Sequence, residues 1–258
     1  MLLLAERIAP LRRTVESKLR RIVRNLSAGG VSLALMSLVQ APLLQPVAAW
    51  IVRDRIGLVQ LVQWPRWLET LVAIVLLDYT LWWWHWANHR VPFFWRFHLV
   101  HHIDRDLDAS TALRFHFGEL SLSIPIRAAQ MTVIGVDPQT LWLWQTILFG
   151  SILFHHANVR LPLRVERVLV RLIVTPRMHG IHHSDRLDET SSNWSSLLSV
   201  WDYLHRTMRF DVPQERIVIG VPAYHDVGDA TIGKILLLPF RRQRDDWRKD
   251  NGRGGTTF

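Results

Sequence analysis

Residues 67–89 read WLETLVAIVLLDYTLWWWHWANH, an apolar run of helical length that ends in clustered tryptophans and a His-x-x-x-His pair. About 20 apolar residues are enough for a helix to cross the hydrocarbon core of a bilayer. Tryptophan is enriched where such helices leave the hydrocarbon, so the four tryptophans between residues 82 and 86 indicate an interface there. The stretch predicts a membrane helix that presents imidazole groups at one end.

Three further apolar stretches have a similar length. They are residues 28–52, 118–136 and 139–159. A tight turn at Asp137 and Pro138 makes the last two a helical hairpin. Pro42 and Pro46 would kink the first stretch or divide it into a re-entrant pair. We therefore predict an all-α integral membrane protein with about four transmembrane helices and, on one side, a histidine-rich helical cap.

The charge distribution predicts which side the cap faces. The chain carries 31 Lys and Arg against 22 Asp and Glu, a formal net charge of +9. Basic residues concentrate in the N-terminal segment, in residues 89–117 and beyond residue 159, whereas the turn at residues 137–138 has none. With four spans these basic parts share one side, which the positive-inside rule makes cytoplasmic. Both termini and the histidine clusters are thus expected in the cytoplasm, and nucleic-acid binding is excluded by the apolar spans.

The sequence divides into three segments. Residues 1–27 are basic and could be an amphipathic helix on the membrane surface or a solvated arm. Residues 28–240 form the membrane domain, and the basic, glycine-bearing tail 241–258 is expected to be disordered. The chain has no cysteine, which excludes disulfides, zinc–thiolate sites and iron–sulfur clusters.

Histidines are the main candidates for functional residues, because 13 of the 258 residues are histidine and most of them are clustered. One H-x-x-H-H motif is expected by chance about 0.03 times at this composition, yet the chain contains two. On a helix, positions i, i+3 and i+4 share a face, so each cluster directs two or three imidazoles at one point. The eight clustered histidines are His85, His89, His98, His101, His102, His179, His182 and His183.

These imidazoles are more than one metal ion can use, whereas two ions could take them all, with His156 as a ninth ligand. Imidazole suits zinc, copper, iron and nickel. A structural zinc site needs four ligands, while an imidazole-rich site with open positions suits iron that must bind O₂. Two iron ions are therefore predicted, with zinc as a possible substitute. A zinc-dependent membrane hydrolase and a non-catalytic metal-binding membrane protein remain alternatives.

Over about residues 70 to 240 the sequence resembles the fatty acid hydroxylase / sterol desaturase family. The matching segments are His85–His89, His98–His102, Arg114-Phe-His116-Phe-Gly-Glu119, His155-His156-Ala-Asn158, Pro176-Arg-Met-His179-Gly-Ile-His182-His183-Ser and Trp201-Asp202-Tyr-Leu. The chain departs from the family where it has Leu204-His205-Arg206-Thr207, since members often read Leu-Phe-Gly-Thr there. Members also often have proline at the position of Phe117.

The resemblance implies a membrane di-iron mono-oxygenase or desaturase that uses O₂ and electrons from an external redox protein. Its substrate would be a lipid, such as a sterol, a hopanoid, a fatty acyl chain or a carotenoid-like molecule, oxidised at a C–H bond. Hydroxylation and desaturation are both compatible with these motifs, and no catalytic residue beyond the metal ligands is indicated.

The resemblance also bears on the residues beside the clusters. It places the ninth ligand at His156 rather than at His155. Asn158 could orient a ligand or a bound water molecule. His116 stands alone in its segment and could either bind a metal ion or orient a ligand.

The sequence also suggests a role or a position for three further polar residues. Asp78 precedes His85 by seven residues, on the same helical face, where a carboxylate could accept the other N–H of a ligating imidazole. His205 and His225 are expected to lie on the surface.

Overall fold

The computed structural model describes residues 1–245 and 247, and within them helices and loops account for the fold, with no β-strand beyond isolated bridges. The predicted all-α class is confirmed. In chain order the helices begin with α1 (Leu2–Ile8), α2 (Lys18–Asp54), α3 (Arg66–Arg90), α4 (Pro92–His102), α5 (Phe117–Ile134) and α6 (Pro138–His156). They continue with the short helices α7 (Leu163–Leu169), α8 (Pro176–His182), α9 (Leu187–Thr190), α10 (Val200–Leu204) and α11 (Ile232–Leu237).

The four predicted spans coincide with α2, α3, α5 and α6. Helix α2 begins earlier than predicted and runs for 37 residues, continuing through Pro42 and Pro46, so the re-entrant alternative was wrong. By length and composition, one helical segment of the described residues, Lys18–Leu61, is long and apolar enough to cross a membrane.

The turn between α5 and α6 is present as predicted. Gly135 ends α5 with φ of 88°, a backbone conformation that glycine adopts without steric cost. The Asp137 carboxylate then accepts hydrogen bonds from the backbone N–H of Gln139 and Thr140 and so caps the start of α6. Pro138 follows at the first helical position, where no N–H is required.

The apolar core lies between the four long helices and holds them in place around the histidines. Leu77, Met131 and Trp144 are buried there, one each from α3, α5 and α6. A second cluster, which includes Leu99 of α4 and Ile235 of α11, packs under the cap. The helices that carry histidines contribute residues to these clusters, α3 and α6 to the first and α4 to the second, so packing fixes their positions.

Part of the basic N-terminal segment is buried against the loop that follows α4. Arg21 is fully buried and forms ion pairs with Asp104 at 2.8 Å and with Asp108 at 2.7 Å. Arg24 reaches the other oxygen of Asp104 at 3.1 Å. Burial by itself raises the pKa of Asp104, but Arg21 and Arg114 outweigh it and hold this pKa below its ordinary value.

The C-terminal tail is only partly described. Residues 246 and 248–258, which form most of the segment predicted to be disordered, lie outside the described residues. In the described part, Arg244 pairs with Asp229 at 2.7 Å and Trp247 stacks on Trp95 with ring centroids 6.2 Å apart.

Candidate metal centre

Five histidines from three helices converge in what we call the first histidine group. Each contributes one ring nitrogen, and these nitrogens lie within 4.8 Å of one another. The members are His85 and His89 of α3, His98 and His102 of α4, and His182 of α8. Four of the five are buried and His89 is half-buried.

Four more histidines form the second histidine group, and all of them are buried. They are His101 of α4, His156 of α6, and His179 and His183 at α8. The Nε2 atom of His156 lies 3.0 Å from that of His101 and 3.1 Å from that of His179. The Nε2 atoms of His179 and His183 are also 3.1 Å apart.

These distances match the spacing of ligands around one metal ion. Nitrogens that each lie about 2.1 Å from an ion, at angles of 90° to 110°, are about 3.0 to 3.4 Å apart. In the first group, the Nε2 atoms of His89, His98, His102 and His182 are buried without a hydrogen-bond partner. Buried polar atoms are normally paired, so this donor set fits metal ions in both groups.

Adjacent residues serve different groups. His101 and His183 belong to the second group, whereas their sequence neighbours His102 and His182 belong to the first. The rings of His102 and His183 stack across the boundary with centroids 4.3 Å apart. The H-x-x-H-H motif thus provides ligands to two neighbouring sites from one helix end.

Hydrogen bonds on the outer side of the rings fix their orientation. Nδ1 of His85 lies 2.7 Å from the carbonyl oxygen of Trp194, and Nδ1 of His182 lies 2.7 Å from that of Ser192. A carbonyl can only accept, so both rings carry their proton on Nδ1 and leave Nε2 free to bind a metal ion. Asp202 supports this arrangement, because its carboxylate accepts hydrogen bonds from the backbone N–H of Trp194 and from the indole of Trp82.

Glu119 is a functional candidate that the sequence did not reveal as such. Its Oε1 lies 2.9 Å from Nδ1 of His98, which leaves Nε2 of His98 directed to the first group. A carboxylate partner of this kind raises the basicity of a ligating imidazole. Glu119 belongs to a segment that resembles the family, but nothing in the spacing of the sequence pairs it with a histidine 21 residues earlier.

Four ligand candidates of the cap, His102, His179, His182 and His183, are neutral at ordinary pH. Burial lowers the pKa of His182 to about 3, and burial together with neighbouring imidazoles lowers the pKa of His102, His179 and His183 well below its usual value. Metal ions bind the neutral imidazole, so the site does not have to lose protons first.

Two residues next to the second group do not join it. His155 packs its ring on His179 with centroids 4.1 Å apart but lies outside both groups, and its Nδ1 has no partner. Asn158 faces the N-terminal segment, where its side chain exchanges hydrogen bonds with the backbone of Arg12 at 2.8 and 2.9 Å. The structure therefore corrects the role suggested for Asn158, which ties residue 12 to the end of α6.

His116 and Asp78 also differ from the expectation. His116 caps α5: its Nδ1 accepts from the backbone of Gly118 at 2.9 Å, and its Nε2 lies 3.1 Å from the carbonyl oxygen of Leu236. Both nitrogens are thus engaged away from the metal groups. Asp78 accepts from the indole of Trp201 at 2.7 Å and from the backbone of Leu198 at 3.0 Å, not from a histidine.

His205 is not the surface residue expected. Its ring stacks on Trp82 with centroids 4.0 Å apart and on Tyr79 at 5.8 Å. His225 is half-buried at the edge of the cap.

An apolar cavity of about 170 Å³ opens onto both groups. His85 and His98 of the first group and His101 and His156 of the second line one end. The walls are mostly apolar and include Leu81, Phe115, Leu120, Leu148 and Ile152. The cavity has several times the volume of a water molecule and suits a stretch of hydrocarbon.

The fold and the site define an all-helical protein with a polyhistidine metal-binding centre beside an apolar cavity. Residues 70–207 match the family model for fatty acid hydroxylase. The chain belongs to the fatty acid hydroxylase family.

Three curated relatives illustrate its similarities. The chain is 28% identical over 184 residues to ornithine lipid hydroxylase OlsE of Rhizobium tropici, covering 70% of this chain and 53% of that protein. It is 26% identical over 159 residues to human alkylglycerol monooxygenase, covering 58% of this chain and 32% of the relative. It is 28% identical over 146 residues to a cholesterol 25-hydroxylase-like protein of Danio rerio, covering 55% of this chain and 56% of that protein. The chain thus spans between a third and about half of these relatives, and no solved structure matches it.

Proposed function

We propose that the protein is an O₂-dependent non-haem di-iron oxygenase that hydroxylates a C–H bond of a lipid. The observation that carries this proposal is the pair of buried histidine groups facing one apolar cavity. Nine histidines from four helices provide enough ligands for two ions, and the cavity is suited to hydrocarbon. The names of the relatives, which are hydroxylases and monooxygenases acting on lipids, favour hydroxylation over desaturation.

The first group would hold one iron ion and the second group the other. When bound, iron supplies the activation of O₂ that attack on an unactivated C–H bond requires. The chain's own residues hold the imidazoles in their orientation through Glu119 and the Trp194 and Ser192 carbonyls. The apolar walls exclude water and keep the substrate carbon facing the histidines. Electrons would come from an external redox protein.

We extend the proposal to the membrane arrangement, in which α2, α3, α5 and α6 all span the bilayer. Each of them exposes large apolar side chains, for example Leu38 at 74%, Trp67 at 68%, Val133 at 61% and Trp142 at 67%. Such surfaces are unfavourable in water and suited to lipid. The excess of arginine on the histidine side favours a cytoplasmic cap and cytoplasmic termini.

The absence of cysteine allows a direct test of this arrangement. A single cysteine at Gln139, beside the α5–α6 turn, should react with a membrane-impermeant maleimide added to intact bacterial cells. A single cysteine at Val227, in the cap, should react only after the cells are opened. Both positions are exposed, so burial would not mask them. Labelling of Val227→Cys in intact cells would contradict the predicted orientation.

The function is tested by purifying the protein in detergent after expression with ample iron. We expect about two iron ions per chain and O₂-dependent formation of a hydroxylated lipid in the presence of a reductant. If only zinc is found and reconstitution with iron gives no oxidised lipid, the zinc hydrolase becomes the better hypothesis. A folded protein that binds no metal would contradict the oxygenase altogether.

Glu119 provides a sharper prediction about metal binding. Glu119→Ala removes the carboxylate that pairs with His98, so we expect the affinity for one ion to fall by about 10- to 100-fold. The Glu119→Gln side chain can still accept the hydrogen bond, so this variant should lose less affinity for the ion. Competition with a metal chelator measures both effects, and the exposed Glu215→Ala serves as the control. Equal affinity in Glu119→Ala and Glu215→Ala would argue against this role.

A further inference from the structure

The cavity beneath the histidine groups contains a positive charge. Arg127 lines it, as do Glu119 and Ser123 of the same helix. Residues 119, 123 and 127 are spaced by four and therefore lie on one face of α5. At about 1.5 Å per residue, Arg127 lies about 12 Å along the helix from Glu119, which contacts His98. On the cavity wall, the backbone positions of Arg127 and of Glu119, which contacts a histidine, are therefore about 12 Å apart along α5.

Arg127 has no counter-ion in the described part of the chain. No carboxylate there lies within ion-pair distance, no hydrogen bond holds its guanidinium, and its Nη1 is buried without a partner. The guanidinium packs over the ring of Trp144, 4.5 Å from the centroid. A cation–π contact offsets only part of the cost of removing a charge from water.

Trp144, which packs against the guanidinium outside the cavity lining, is a second donor without a partner. It is fully buried, and its Nε1 also lacks an acceptor. A half-buried guanidinium whose Nη1 has no acceptor, packed on an indole that also lacks one, is unusual in a folded protein. The guanidinium lines the cavity, so a ligand bound there could provide its acceptor.

Snorkelling does not explain Arg127. A snorkelling arginine extends its guanidinium along the helix to the membrane interface. Arg127 instead lies near the middle of α5, and its guanidinium crosses to α6, where Trp144 lies. Its position is therefore that of a group facing the interior of the helix assembly and the cavity.

We infer that Arg127 binds an anionic group of the lipid substrate, a carboxylate or a phosphate. The free N–H groups of Arg127 would donate to its oxygens, and the hydrocarbon part would extend along the apolar walls to the histidines. This inference rests on the proposed function, since it takes the cavity to be the substrate site. It defines the substrate class as lipids with an anionic group and a hydrocarbon part that extends from Arg127 to the histidines.

The experiment compares the binding of three probes of equal chain length: hexadecanoate, hexadecyl phosphate and uncharged hexadecanol. Equilibrium dialysis with the detergent-purified protein measures their affinities without catalysis. We expect at least one anion to bind about 10- to 100-fold more tightly than hexadecanol, as for a buried hydrogen bond to a charged group. The anion that is preferred identifies the headgroup as carboxylate or phosphate.

Variants test whether the preference for an anionic probe depends on the Arg127 side chain. Arg127→Met should abolish the preference, so that the anions bind no more tightly than hexadecanol, and Arg127→Lys should retain part of it because the charge is kept. Arg53→Met, at an exposed arginine outside the cavity, is the matched control and should bind like the unmodified protein. Equal binding of all three probes, or a preference that survives in Arg127→Met, would overturn the inference.

The outcome is independent of the metal. Binding is measured without O₂ or reductant, so a failed anion preference leaves the di-iron proposal intact. Failure to bind iron or to oxidise lipid would remove the proposed reaction, while the measured anion preference would still stand as a property of the cavity.

Discussion

His182→Ala and His183→Ala are each expected to remove one of two bound ions, and a different one in each variant. The two residues are neighbours in sequence, but His182 belongs to the first histidine group and His183 to the second. Losing one ligand from a buried site lowers its affinity while the other group keeps its ligands. Because the proposed reaction needs both ions, we expect oxidation of lipid to fall by about 100-fold or more in either variant.

Elemental analysis of the purified variants measures this effect as a decrease from about two iron ions per chain to about one. His225→Ala is the matched control, because His225 lies outside both groups. Circular dichroism and gel filtration show whether each variant is folded. A folded His182→Ala protein that retains both ions and full activity would contradict the assignment of ligands.

Asp104→Ala is expected to destabilise the protein by about 3 to 5 kcal/mol. Asp104 is 1% exposed and accepts hydrogen bonds from Arg21, Arg24 and Asn25. Arg114 also approaches it, at 4.0 Å. Removing this carboxylate leaves buried guanidinium groups facing one another, and breaking a buried ion pair in this way costs several kcal/mol. Asp104→Asn keeps some of these hydrogen bonds and should destabilise the protein less than Asp104→Ala.

Unfolding in denaturant, followed by tryptophan fluorescence in detergent, measures the difference. The control is Asp54→Ala, which removes an exposed carboxylate paired with an arginine that is itself 72% exposed. Exposed ion pairs contribute about 0 to 1 kcal/mol, so this variant should resemble the unmodified protein. If Asp104→Ala loses no more stability than Asp54→Ala, the buried network does not anchor the N-terminal segment.

The arginine network also shows where a sequence pattern misleads. Residues 1–27 appear as a basic segment because their charges are conspicuous in the sequence, whereas their partners Asp104 and Asp108 lie more than 80 residues away. Composition predicts exposure for isolated charges, and only the folded chain brings the carboxylates into contact. Likewise, only the folded chain brings Glu119 into contact with His98. It also packs Arg127 on Trp144, without a carboxylate partner in the described residues.

Beyond His156, which the resemblance to the family added as the ninth ligand, the sequence by itself determined the all-α class, the four long apolar helices and the eight clustered histidines that converge. Each of these depends on short-range regularities: the length of an apolar run, the spacing of three or four residues that shares a helix face, and the rarity of H-x-x-H-H. The tertiary structure decided how the nine imidazoles divide into groups of five and four, and it excluded His116 from both. It also showed that Asp78 is hydrogen-bonded to Trp201 and Asn158 to the backbone of Arg12. Helical spacing gives the direction of a side chain, but its partner depends on how separate helices pack, and that information is not local in the chain.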